Sequence, residues 1–215
     1  MQEKSHNPNR WHEKLLQYYP INFDPNTYFF EQGYADLINT VVSFGKSFLE
    51  VGAHTGLACI CIKLKYPEAH IVASDINEKV CDLIRSRIFF AKAVFDMGDI
   101  EVKNIDLFNI PYPDNTFDVI FSSGVMEHYS KEEVLEGIKE QLRCAKYVVV
   151  DVPVEEGRAP LCVGGYGDEH YYSIDEWIGM VKKVGKLYRC FERRNSKGAF
   201  HWCFVVKKGG EHGNK

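Results

Sequence analysis

From about residue 48 onward, short runs of consecutive apolar residues alternate with longer stretches in which apolar positions recur every three or four residues. The first pattern predicts buried strands and the second predicts amphipathic helices. Ser47 to Val51 reads as a strand running straight into a glycine-containing turn, Gly52 to Gly56, and Leu57 to Tyr66 as a helix that stops before Pro67. His70 to Ser74 predicts a second strand, with Asn77 as the N-cap of a helix reaching about Phe95. Ile100 to Ile105 and Phe117 to Ser122 predict a third and a fourth strand. Ser130-Lys131-Glu132-Glu133 has the capping-box pattern and opens a helix to about Arg143. Tyr147-Val148-Val149-Val150-Asp151 predicts a fifth strand, β-branched through its middle as expected for the centre of a parallel sheet. A second capping box, Ser173-Ile174-Asp175-Glu176, opens a helix to about Val184. Leu187 to Arg194 and Phe200 to Lys207, with a turn at Asn195-Ser196-Lys197-Gly198, predict a terminal hairpin.

Strands alternating with helices imply an α/β fold in which helices cover both faces of a doubly wound sheet. The strands add up to a seven-stranded sheet, mostly parallel, with a C-terminal antiparallel hairpin. Ligands of such sheets bind outside the carboxyl ends of the strands. Chemistry is therefore expected just after each strand.

Composition narrows the class. A chain of 215 residues with 45 % hydrophobic and 26 % charged residues fits one globular domain, which excludes a disordered chain, a collagen-like chain and a coiled-coil rod. The net charge of −4 gives no reason to expect a nucleic-acid partner. No apolar run is long enough for a membrane span, and the polar N-terminus lacks the apolar core of a signal peptide, so a cytoplasmic location is expected. The seven cysteines are odd in number and form no CxxC pair, which predicts buried reduced thiols. The eight histidines are scattered, so no metal site is expected. Part of the 13 % aromatic share is crowded ahead of the first strand, in Trp11, Tyr18, Tyr19, Phe23, Tyr28, Phe29 and Phe30. Residues 1–44 are thus expected to be a helical, aromatic segment, either a lid over a ligand or packing against the body. Residues 45–207 form the domain proper, and 208–215 a flexible tail. The stretch 152–172, with Gly157, Gly164, Gly165 and Gly167, is a candidate for closing over a ligand.

Five places carry candidate chemistry. In Glu50-Val51-Gly52-Ala53-His54-Thr55-Gly56 the glycines let the backbone approach a ligand, but their spacing is GxxxG rather than the GxGxxG of dinucleotide sites. The acid two residues before Gly52 suits a ligand with a positive amino group and disfavours a nicotinamide dinucleotide. Asp75, at the end of the second strand, stands where a carboxylate accepts from a ribose diol. Asp106-Leu107 follows the third strand, where an acid accepts from an exocyclic amine. Pro111 to Asp118 makes a rigid turn into the fourth strand, and Ser122 to His128 leaves it.

Together these motifs resemble the class I S-adenosylmethionine-dependent methyltransferases of Rossmann-like fold, particularly the group acting on ubiquinone and menaquinone precursors and other small molecules. Glu50 to Gly56 is similar to the family's acid-x-Gly-x-Gly-x-Gly motif, with His54 in place of the middle glycine. Asp75-Ile76, Asp106-Leu107, the run Ile110 to Asp118 and Ser123-Gly124-Val125-Met126-Glu127-His128 resemble its later motifs. The resemblance implies S-adenosyl-L-methionine as cofactor and S-adenosyl-L-homocysteine as product. It implies that Glu50, Gly52, Ala53, His54, Gly56 and Ser123 line the methionine end, with Glu50 orienting the amino group. Asp75 is implied to hold the ribose, Ile76 to pack on the adenine, and Asp106 with the Leu107 amide to read its amine. His54 either covers the cofactor or points to solvent.

His128 is the candidate general base, with Glu127 as a second; for His128 a helix-capping or packing role stands beside the catalytic one. The stretch His170-Tyr171-Tyr172 either contributes to an acceptor pocket or leads into the helix at Ser173. The expected activity is methyl transfer to a small-molecule acceptor. Alternatives are transfer to protein or RNA, or a cofactor-binding regulator without activity. Neither the acceptor atom nor the oligomeric state follows from the sequence.

Overall fold

The computed structural model describes residues 34–155, 169–194 and 200–209. Helix α1 (Tyr34–Val42) precedes β1 (Ser47–Val51), α2 (Leu57–Lys65), β2 (His70–Asp75), α3 (Glu78–Val94) and β3 (Glu101–Asn104). Then come β4 (Phe117–Ser123), a single 3₁₀ turn (Met126–His128), α4 (Lys131–Cys144), β5 (Ala145–Pro153), α5 (Ile174–Val184), β6 (Lys186–Arg194) and β7 (Phe200–Lys207). The glycines of the 152–172 stretch, the turn at 195–199 and the aromatics before Tyr34 lie outside the described residues.

The strands form one seven-stranded sheet in the order β3-β2-β1-β4-β5-β7-β6. Pairing is parallel from β3 to β5, while β7 runs antiparallel to both β5 and β6. The chain moves outward from β1 through β2 to β3, then returns to lay β4 on the other side of β1. That reversal opens a crevice at the carboxyl ends of β1 and β4, where ligands of doubly wound sheets bind.

Alternation along the strands divides the core in two, because successive side chains point to opposite faces. Phe48, Ile71, Val119, Phe121, Val149 and Val205 face Leu37, Ile38 and Val41 of α1 and the apolar sides of α2 and α3. Leu49, Val72, Ile120, Val148, Val150 and Phe204 face Ile138 of α4 and Trp177 of α5. The apolar positions alone do not fix where the helices begin; the N-caps do. The Asn77 side chain accepts from the Lys79 amide, and both capping boxes close, Ser130 with Glu133 and Ser173 with Glu176.

Two strands depart from their expected lengths for the same reason, the partners available to them. Ladder pairing for β5 extends beyond its β-branched centre, because β7 pairs with it from Tyr147↔Lys207 to Pro153↔His201. By contrast β3, the sheet edge paired on one side only, shortens to Glu101–Asn104. The turn from Ile110 to Asp114 is braced from α4: Arg143 donates to the Ile110 and Tyr112 carbonyls and to Asp114, and Glu140 accepts from the Ile110 amide. The six described cysteines lie outside any disulfide and five are buried. Among the described residues no helix is long and apolar enough to cross a membrane.

Candidate functional site

The turn after β1 is built on three left-handed residues, Gly52 (φ 65°), His54 (φ 51°) and Gly56 (φ 70°). A Cβ on Gly52 would lie 2.5 Å from Val125 Cγ2, and one on Gly56 would lie 2.7 Å from Ile84 Cγ2, so both glycines are required for conformation and for space. His54, at the family's middle glycine, keeps the left-handed backbone at a cost of about 1–2 kcal/mol. Its ring is half-buried, and burial, helped by the Arg87 charge, pushes the imidazole down to about 4. The turn is tied to β2 by backbone: the Ala53 amide donates to the Ser74 carbonyl at 2.7 Å and the His54 amide to Asp75 Oδ2 at 3.3 Å.

Glu50 is 5 % exposed, and its side chain accepts from the Cys59 thiol at 3.0 Å. Burial pushes its carboxyl up to about 7; the Cys59 hydrogen bonds oppose the shift and the Asp75 charge adds to it. Asp75, half-buried, accepts from the Asn77 and His54 amides, and burial again raises its pKa despite these bonds. Among the described residues no cation forms a salt bridge with either acid. Next to Asp75, Ile76 leaves 40 % of its surface exposed, an apolar platform at the mouth of the crevice. Asn104, the last residue of β3, donates to the carbonyls of Asp75 and Ile76 and holds this corner.

Asp106 caps its own turn, with Oδ1 accepting from the Phe108 amide at 2.9 Å, while Leu107 is buried with its side chain toward Gly137 of α4. Ser123 ends β4. The residues expected at a cofactor thus follow four adjacent strands, β3, β2, β1 and β4, along one edge of the sheet. His128 is 3 % exposed within the 3₁₀ turn, and Glu127 is buried beside it. The Glu127 carbonyl accepts from the His170 amide at 2.6 Å, so the His170–Tyr172 stretch lies against the same turn, with the His170 and Tyr172 rings stacked at 5.7 Å.

A second cluster at this edge went unforeseen. Asp151, on β5, is fully buried and takes both Nε and Nη2 of Arg193 on β6, at 2.9 and 2.6 Å. Ser123 Oγ donates to it at 2.6 Å and the Cys203 thiol at 3.1 Å, while His201 Nδ1 lies 3.4 Å away. Burial pushes the Asp151 carboxyl up, but the charges of Arg193 and His201 outweigh it and hold the group well below the usual carboxylate range. From α1, the Tyr34 ring lies 4.5 Å from the Arg193 guanidinium and its hydroxyl 3.2 Å from Ser123 Oγ. A charged residue closing an otherwise apolar strand was the available signal, since a buried Asp is nearly always paired. Its partner, 42 positions on, is not readable from local pattern.

Residues 48–147 match the family described as a methyltransferase domain. Among solved structures, the magnesium protoporphyrin IX methyltransferase of Synechocystis PCC 6803 with bound SAH is 14 % identical, with 94 % of each chain covered and a TM-score of 0.66. A SAM-dependent methyltransferase from Aquifex aeolicus is 21 % identical, covering 94 % of this chain and 98 % of its own, with a TM-score of 0.66. A Haloferax volcanii complex between the Trm112 methyltransferase activator and a putative methyltransferase superposes with a TM-score of 0.72 at 12 % identity, covering 95 % of this chain and 98 % of that one. At such identities the likeness is one of fold: a Rossmann-like sheet carrying the C-terminal antiparallel strands found above.

Proposed function

We propose that this chain, which carries a class I methyltransferase domain across residues 48–147, binds S-adenosylmethionine at the carboxyl edge of its sheet and serves methyl transfer to a small-molecule acceptor. The observation that carries the proposal is the pair of acids, Glu50 and Asp75, held out of water without an ion-pair partner among the described residues. Buried carboxylates of this kind are costly unless something supplies donors or a positive charge. An α-ammonium facing Glu50 and a ribose diol facing Asp75 supply both. The collar of Gly52 and Gly56 leaves backbone free to approach, and exposed Ile76 offers an apolar surface for a base.

When bound, this cofactor would supply a methyl group activated by its sulfonium for transfer to the acceptor. The chain's own contribution is placement of the two reactants, which lowers the barrier by several kcal/mol or more, and exclusion of water from the nucleophile. His128 is the candidate to take the acceptor's proton where the acceptor reacts from a protonated form. A cytoplasmic location belongs to the same proposal and is supported by the described cysteines, which form no disulfide and are mostly buried.

Calorimetry with S-adenosylmethionine, S-adenosylhomocysteine and NAD tests this reading. The first two are expected to bind and NAD not, and Asp75→Ala is expected to weaken both by at least about ten-fold, as for loss of charge-assisted hydrogen bonds. No binding of the first two overturns the reading. His128→Ala is expected to lower turnover while sparing cofactor affinity; unchanged turnover assigns His128 to packing.

A further inference from the structure

The cluster around Asp151 reaches the carboxyl end of β4 through Ser123. Val125, two positions further on, packs over Gly52, so the end of β4 lies against the first glycine turn. Ser123 Oγ is within hydrogen-bonding distance of two oxygens, Asp151 Oδ2 at 2.6 Å and the Tyr34 hydroxyl at 3.2 Å, but a hydroxyl has one proton to give. Asp151, gripped by the Arg193 fork, is an ionised group that only accepts. The shorter, charge-assisted bond therefore takes the serine proton. Tyr34 then donates its own proton to Ser123. The order runs Tyr34 to Ser123 to Asp151, and the same Arg193 guanidinium secures both ends, ion-paired to the carboxylate and stacked over the Tyr34 ring. With both protons directed inward, the outward faces of these hydroxyls carry lone pairs.

We propose that Asp151 and Arg193 are positioning residues that fix the direction of this hydrogen-bond chain, so that Ser123 and Tyr34 present oxygen lone pairs to the ammonium-bearing methionine end of the cofactor. The inference rests on the function proposed above and on Ser123 standing at that end. Its physical content is polarity. A cation is stabilised by acceptors and repelled by O–H groups aimed at it, and a neutral amide in place of Asp151 can donate to Ser123 and reverse the chain. The remaining groups around the carboxylate, Cys203 and His201 of β7, complete its donor shell and keep it from accepting a proton of its own.

Calorimetry with two ligands separates this role from a scaffolding one: S-adenosylhomocysteine, and 5′-methylthioadenosine, which keeps the nucleoside and thioether but lacks the amino-acid end. Asp151→Asn and Ser123→Ala are expected to weaken S-adenosylhomocysteine about ten-fold, as for a hydrogen bond to a charged group, and 5′-methylthioadenosine less than about two-fold. Tyr34→Phe is expected to show the same selectivity at about three-fold. Arg193→Lys, which keeps the charge but not the fork, is expected to recover part of what Arg193→Met loses. Where Asp151→Asn does not fold, Ser123→Ala and Tyr34→Phe decide, since they leave the buried pair intact. Parallel losses on both ligands, or no loss on either in folded variants, overturn the positioning role. Wild-type protein that binds neither ligand overturns the cofactor reading itself.

Discussion

Two regions of one sheet edge treat buried carboxylates in opposite ways. On the β1–β2 side, Glu50 and Asp75 are withdrawn from water, and burial drives their pKa values up. On the β5–β7 side, Asp151 is buried at least as deeply, yet Arg193 and His201 drive its pKa down. Burial is common to both; the difference is whether the chain supplies the countercharge. Where it does, the pair closes the antiparallel strands onto β5 and holds the Ser123 hydroxyl in place. Where it does not, the acids stay without a cation among the described residues, as the proposed cofactor site requires. The contrast separates the acids proposed to meet the ligand from the one proposed to position its neighbours.

The strongest way to break the comparison is to remove the countercharge. Arg193→Met leaves Asp151 ionised and unpaired, and is expected to destabilise the protein by about 3–5 kcal/mol. In a chain of 215 residues that corresponds to roughly 10 °C in the melting temperature, read by thermal unfolding. A variant that melts with wild type would mean that the pair is no more than compensated surface charge.

Glu50→Gln is the opposite experiment and should have the opposite sign in stability. The folded protein holds the Glu50 proton up to about pH 7, against an ordinary value of 4.5. Between those limits the unfolded chain has already lost it, so the group's contribution to stability is fully present below about 4.5 and is lost as pH rises through 7. At pH 8 the substitution is therefore expected to raise stability by up to about 3 kcal/mol, and near pH 4 to change it little. Its effect on ligand affinity should run the other way. In wild type, S-adenosylhomocysteine binding is expected to tighten as pH rises toward 7 and the carboxylate forms, then to fade above about 8 as the ligand's amine deprotonates. In Glu50→Gln the rising limb should vanish, with affinity lowered ten-fold or more at pH 7.5. Calorimetry across pH, with melting curves on the same samples, reads both signs; a variant that loses stability and keeps affinity would make Glu50 a structural group with no part in binding.

The sequence reads these regions unequally, for a physical reason. The β1–β2 side is encoded locally: strand, left-handed turn and acid occupy consecutive positions, and Asp75 follows the next strand directly. Helix starts were equally legible, because Asn77, Ser130 and Ser173 cap within three residues of themselves. The Asp151 cluster joins α1, β4, β5, β6 and β7, which only the tertiary fold brings together. Tyr147 to Asp151 reads as a buried strand, but nothing in the local pattern names the distant residue that pairs with Asp151. Boundaries that depend on neighbours were lost in the same way: β5 grew because β7 covers it, and β3 shrank because its outer side is unpaired.

The finest test concerns His54, the one departure from the first motif. Its amide, not its ring, donates to Asp75, so any residue that tolerates φ 51° can make this contact. His54→Gly would relieve about 1–2 kcal/mol of left-handed strain but add unfolded-state entropy worth up to about 1 kcal/mol. The net change should stay within about 1 kcal/mol, a shift of a few degrees, and S-adenosylhomocysteine affinity should move by less than about three-fold. If affinity instead fell strongly with the melting temperature unchanged, the half-buried ring would itself be part of the ligand surface. The uncompensated side of the edge would then recognise its ligand with a side chain as well as with backbone.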